Sequence, residues 1–347
     1  MKKSTLFGWL VAVAASATAQ SSLSLVEGVP ALVYSLPATE LVFEVEIEKT
    51  VEQPGVFYQY SQRYLATSKV VTEESVNYQL RSVRMNTQTV ADTARRFAVS
   101  PQLLKGLVVN EKGILVGVNV PGPRKVVKQE REVIRRQEQP APRPEGMLPL
   151  NQEYMMAGST AKMAEGAAYQ IYALRESRIN LLSGEMDHMP ADGEALKLML
   201  QGIDRQEREL TELFVGSVRT ELIRHRVTLV PDTAELEKVL FRLSAKRGLV
   251  DNDDLGGEPY YVVLEPETIT PQPQYDLKAK PVIPVLYSVL PALTTVEVSD
   301  GVRTLLSQKT ELPQFGVLLP YDIALLKSKV FSMELDPATG RLLKIKH

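Results

Sequence analysis

The sequence predicts an α+β fold, mainly antiparallel β and sandwich-like, with an inserted amphipathic αα-hairpin and a smaller C-terminal β module. Three observations predict it. Residues 39–50 alternate apolar and polar side chains with a period of two. Residues 159–215 carry apolar side chains at helical spacing between capping signals. The last 66 residues return to short β-like runs separated by turn residues.

The first run is the clearest strand. Leu41, Phe43, Val45 and Ile47 share one side, and Glu44, Glu46 and Glu48 the other, the pattern of a half-buried strand. Val76, Tyr78 and Leu80 repeat it, and Val83 and Met85 then shift phase, as a bulge at Arg81-Ser82 would cause. Residues 106–120 read as a hairpin turning at Asn110 to Gly113. Residues 121–150 differ: six prolines and mixed charges predict a mobile loop.

Ser159 can cap a first helix in which Ala164, Ala168, Ile171, Leu174, Ile179 and Leu182 form the buried stripe, ended by Gly184. Asp192 can cap a second, with Leu196, Met199, Leu200, Ile203, Leu210, Leu213 and Phe214 on its apolar side and Gly216 past its end. The neighbouring sheets are the expected support for both stripes. Strands follow at 227–230, 239–243 and 260–264, then a Pro-rich linker over 266–281. The C-terminal module, 282–347, offers strands at 282–290 and 315–319 and hairpins around Ser299 to Gly301 and Asp336 to Gly340. One echo links the two β regions: Val33 to Val45 resembles Leu286 to Val298 once a residue is inserted and one dropped. Two related modules or chance likeness between generic strands would both produce it.

The amino terminus reads as a secretory signal. Lys2 and Lys3 precede an uncharged apolar run from Leu6 to Ala17, and Ala17-Thr-Ala19 is a small-x-small cleavage site. The run is shorter than the roughly 20 residues that span a bilayer, and no cysteine follows that could carry a lipid. The expectation is a chain of residues 20–347 exported to a periplasm or a cell surface, not a lipoprotein, with an N-terminal β domain over 20–265. Losing Lys2 and Lys3 moves the formal net charge from −2 to about −4, which argues against a nucleic-acid partner.

The helical segment Ala161-Lys-Met-Ala-Glu-Gly-Ala-Ala-Tyr-Gln-Ile-Tyr-Ala-Leu-Arg-Glu-Ser-Arg178 is distinctive. With Leu181 to Glu185, Pro190 to Gly193, Asp204 to Phe214, Asp254-Leu-Gly-Gly-Glu-Pro259 and Gln314-Phe-Gly316, it resembles a family exported by Bacteroidota-type bacteria, the domain of unknown function 4831. The resemblance implies export and a Gram-negative envelope. It implies no activity and brings no catalytic residues.

Candidate chemistry comes from five places. Ser159-Thr-Ala-Lys162 has the Ser-x-x-Lys spacing of serine acyl-enzymes, but no Lys-Thr-Gly follows, so a capping serine beside a surface lysine is the better reading. Asp251, Asp253, Asp254 and Glu258 could hold calcium, or form a polar turn; Leu255 and Val262 stand where an EF-hand needs oxygen ligands. No other cofactor is expected. Glu185, Asp187 and His188 could form an acid/base or metal cluster, or a wet loop; no second histidine stands at ligand spacing for zinc. Arg175 and Arg178 could bind an acidic partner, or pair with carboxylates such as Glu165 and Glu176 or others on an adjacent element. Tyr58, Tyr60 and Tyr64 could stack on a glycan, or pack at a sheet edge. The expected function is a non-catalytic envelope component that binds or scaffolds another envelope protein. A glycan- or peptide-binding module and an envelope hydrolase are the alternatives.

Overall fold

A computed structural model describes residues 23–26, 29–99, 106–121, 149–184, 192–232, 235–267, 285–326 and 330–346. The expected signal segment, most of the 121–150 and 266–281 segments, and Glu185, Asp187 and His188 lie outside the described residues. In chain order the strands are β1 (Leu23–Val26), β2 (Val29–Gln53), β3 (Ser75–Val99), β4 (Leu107–Val109), β5 (Leu115–Val118), β6 (Ser217–Leu229), β7 (Glu237–Ser244), β8 (Gly248–Val250), β9 (Glu258–Pro266), β10 (Val285–Ser299), β11 (Thr304–Asp322), β12 (Ser332–Leu335) and β13 (Leu342–Lys346). The helices are α1 (Ser61–Leu65), α2 (Gln152–Met155), α3 (Thr160–Ser183), α4 (Gly193–Val215) and α5 (Ile323–Leu326). The fold is α+β, and every strand ladder described is antiparallel.

Two long ribbons organise it. β2 pairs β3 over nearly its whole length and carries β6 on its other edge. β10 pairs β11 and carries β9, in a sheet ordered β11-β10-β9-β7-β8. The alternation read in residues 39–50 has the expected consequence: Leu41, Phe43, Val45 and Ile47 are buried against Val262, Leu264, Val296 and Val298 of the second sheet. Each such side chain contributes about 1.5–3 kcal/mol on burial. The phase shift in β3 is a bulge, because Glu46 pairs Ser82 and Ile47 pairs Leu80, leaving Arg81 extra.

Both ribbons break their ladders in the same way. Between Ser35 and Pro37 one residue of β2, Leu36, stands opposite the four residues 92–95 of β3. Between Leu290 and Ala292 one residue of β10, Pro291, stands opposite the four residues 313–316 of β11. The echoed segments 33–45 and 286–298 thus occupy equivalent places, each crossing a four-against-one bulge. Below the bulges a second core forms, where Leu32, Tyr34 and Leu36 meet Leu286, Tyr287 and Val289. It is covered by a small sheet ordered β13-β12-β5-β4, made from one hairpin of each half.

The bulges interlock. The Gln314 carboxamide accepts from Thr39 N at 3.0 Å and donates to Thr39 O at 2.9 Å, as a neighbouring strand would. Arg95 donates to the carbonyls of Pro313 (2.9 Å) and Pro37 (3.3 Å), and its Nε lies 2.6 Å from Asp92. Gly316 is required here: a Cβ would lie 2.1 Å from the Leu290 carbonyl oxygen. β9 and β10, which flank the expected linker, lie side by side in one sheet.

The helices depart from expectation. They do not rest on the sheets. α3 and α4 pack on each other and on the turn at 57–65, in a third core of Phe57, Ala164, Ala167, Ala168, Ile171, Leu210 and Phe214. The turn holds its shape through Ser61 Oγ, which donates at 2.7 Å to the Phe214 carbonyl. The pair therefore stands on its own base, carried between β5 and β6 in the chain.

Candidate functional site

The helical pair is the best-defined candidate surface. Its ends form as the sequence dictates. Ser159 Oγ accepts from Lys162 N at 3.3 Å, and Asp192 Oδ1 from Ala195 N at 2.6 Å. Gly184 ends α3 in the left-handed conformation with φ 75°, which glycine adopts at no steric cost. The Ser159 hydroxyl thus serves as a helix cap, and Lys162 is exposed.

Arg175 and Arg178 face neither Glu165 nor Glu176. They reach across to α4, where Arg175 Nε lies 2.6 Å from Glu207 and Arg178 Nη1 3.2 Å from Asp204 and 3.7 Å from Glu207. These pairs clamp the antiparallel helices in register. Sequence reasoning missed Asp204 and Glu207 as the partners, since the pairing is visible only once the two helices are laid side by side.

Tyr58, Tyr60 and Tyr64 all sit in the turn beneath the helices. Tyr60 and Tyr64 are half-buried against the third core, with their ring centroids 6.3 Å apart and Tyr64 edge-on to Phe214 at 6.5 Å. They pack on helices, not at a sheet edge. Tyr58 Oη accepts from Gln59 Nε2 at 3.2 Å. The Tyr172 hydroxyl donates to the Tyr64 carbonyl at 2.7 Å and ties α3 to α1.

Asp251, Asp253 and Asp254 lie in the turn between β8 and β9, and Glu258 opens β9. Asp254 is already engaged by Arg247, at 2.7 Å, and by the Gly256 amide, at 2.8 Å. Those two contacts, the arginine first, hold its carboxyl below the usual carboxylate range. Among the described residues, no group of three His, Asp or Glu side chains is placed to hold a metal ion.

Sequence reasoning also misjudged the stripes. Ala164, Ala168 and Ile171 are buried, but Ile179 and Leu182 are 63% and 65% exposed. Leu181 is the buried residue in the last turns of α3. Ile179 follows Ala168 by 11 residues and Leu182 follows Ala164 by 18, so both continue the buried stripe past the end of the third core, and Tyr169 and Tyr172 are exposed as well. On α4 only Leu210 and Phe214 are buried, while Leu198 and Met199 are exposed. The distal half, Arg175 to Ser183 with Gly193 to Ile203, thus buries a single side chain.

An open-sheet α+β protein bearing a helical hairpin is the class that this fold defines. The chain belongs to the family described as domain of unknown function 4831, which matches residues 30–343. No curated protein and no solved structure matches it. No described helix is long and apolar enough to cross a membrane.

Proposed function

We propose that the protein is a non-catalytic binding component of a bacterial envelope, with the helical hairpin as its working surface and the interlocked sheets as its support. One observation carries this reading: Ile179 and Leu182 continue the apolar stripe of α3 beyond the third core and stand exposed, with Tyr169 and Tyr172 exposed nearer its base. Water-facing apolar stripes of this kind are characteristic of helices that meet a partner. The ionic clamp supports the same role, because Arg175, Arg178, Asp204 and Glu207 fix the stripe before any partner arrives. The envelope setting rests on the signal-like amino terminus and the family resemblance.

The test is capture from cross-linked cells with the tagged full chain, read by mass spectrometry, beside a variant carrying Ile179→Glu, Leu182→Glu and Leu198→Glu. Partners retained by the parent and lost by the variant support the reading. A partner set unchanged by the three substitutions contradicts it.

A further inference from the structure

β6 is an edge strand of 13 residues, paired with β2 from Ser217 to Leu229. No other strand pairs it among the described residues, and no hydrogen bond ties its outer backbone edge to another described segment. Strands usually run about 5–6 residues, and exposed edges of this length are templates for another strand.

The side chains along this edge specify what would fit. On the outward side of the sheet, Arg224 stands opposite Glu46 and Arg226 opposite Glu44. Each arginine uses only part of its five-donor fork: Arg224 Nε binds Glu46 at 2.9 Å, and Arg226 Nη2 binds Gln88 at 2.9 Å. On the inward side, Val227 and Leu229 border a cleft of about 460 Å³ also lined by Val239 and Leu240 of β7 and by Glu235, Lys238 and Asn252. A strand added beside β6 would therefore place alternate residues against two arginines and the residues between them on the side of His225, Val227 and Leu229, beside a cleft of mixed apolar and polar lining. The molecule displays such a strand on the edge already filled: Phe43-Glu-Val-Glu-Ile-Glu48 of β2, acid and aliphatic in alternation.

We propose that the free edge of β6 is a strand-addition site for an extended peptide segment with acidic residues at every second position and aliphatic residues between them. Backbone hydrogen bonds supply most of the affinity, and Arg224 and Arg226 fix register and charge preference. The site is separate from the helical stripe, so the two readings fail independently.

The probe is a fluorescein-labelled peptide with the sequence of residues 41–53, titrated into the full-length protein and followed by anisotropy, with hydrogen exchange of residues 217–229 as a second readout. Saturable binding is expected, with slowed exchange in β6. Binding should weaken about tenfold or more in the Arg224→Glu, Arg226→Glu variant and with a peptide whose glutamates are replaced by lysine. The Ile179→Glu, Leu182→Glu, Leu198→Glu variant should bind the peptide as the parent does. Absence of binding up to about 1 mM peptide, the range of negligible affinity, overturns the proposal. So does equal binding of the lysine peptide, or binding that leaves β6 exchange unchanged.

Discussion

The Tyr34 hydroxyl binds both backbone groups of Tyr287: it accepts from the amide at 2.7 Å and donates to the carbonyl at 3.2 Å. The two tyrosines hold matching places in the echoed segments 33–45 and 286–298. β9 runs beside β10 only over Thr294–Ser299, so Tyr287 lies where one edge of β10 has no strand neighbour among the described residues. Burial pushes the Tyr34 phenol far above its ordinary pKa, which keeps it protonated and able to donate.

Tyr34→Phe should cost about 3 kcal/mol, because it strands a buried amide and a buried carbonyl at once. Urea unfolding of parent and variant checks this. A loss under about 1 kcal/mol would mean that water reaches Tyr287.

The interlock at the bulges should be as sensitive. Asp92 and Arg95 are nearly buried, with side chains 12% and 14% exposed. Arg95→Met leaves Asp92 unpaired and removes the donor to Pro37 and Pro313, and should cost about 3–4 kcal/mol. Adding Asp92→Asn, which keeps the acceptor for the amides of Ala94 and Arg95, should restore part of that loss. A double-mutant cycle with no coupling would remove the pair from the joint.

Gly166 should show a sign reversal. Helical glycine usually gains about 1 kcal/mol on replacement by alanine. Here a Cβ would come within 2.1 Å of the Tyr154 ring, so Gly166→Ala should destabilise by about 1–3 kcal/mol. In a Tyr154→Ala background the same substitution should stabilise. Thermal melts of the four proteins decide it.

Acid sensitivity follows from Asp300, whose carboxyl is held below its usual range by the amides of Arg303 and Val302. A depressed folded pKa stabilises above the unfolded value, about 3.9, and that stabilisation is lost as pH falls through the folded value. Asp300→Asn should therefore melt below the parent at pH 7, with the gap closing as pH falls below the ordinary aspartate range. A gap that is constant with pH would show that the charge adds nothing.

Much of this was readable from the chain. The alternation of Leu41 to Glu48, the Arg81 bulge, the Asn110–Gly113 turn and the Ser159 and Asp192 caps are local, and local chemistry decides them. β6 was readable only at its last residues, because an edge strand such as Arg219 to Arg226 has little burial to mark it. The exposure of Ile179 and Leu182 was missed because their spacing continues the buried stripe of Ala164, Ala168 and Ile171, and where the third core ends is not a property of the spacing. Contacts such as Gln314 with Thr39, 275 residues apart, depend on how two bulges meet, which no window of sequence contains. Arg175 and Arg178 do pair with carboxylates, but with Glu207 and Asp204 on the facing helix and not with Glu165 or Glu176 on their own.

β2–β3 and β10–β11 form one interlocked body, from which the distal hairpin is expected to open separately. Native-state hydrogen exchange of the full chain tests it most directly. Peptides covering 32–47 and 286–298 should open together, at the free energy of global unfolding, while 175–183 and 193–203 should exchange at lower cost. Opening of 286–298 at least about 2 kcal/mol below 32–47 would show two independent units and contradict the account.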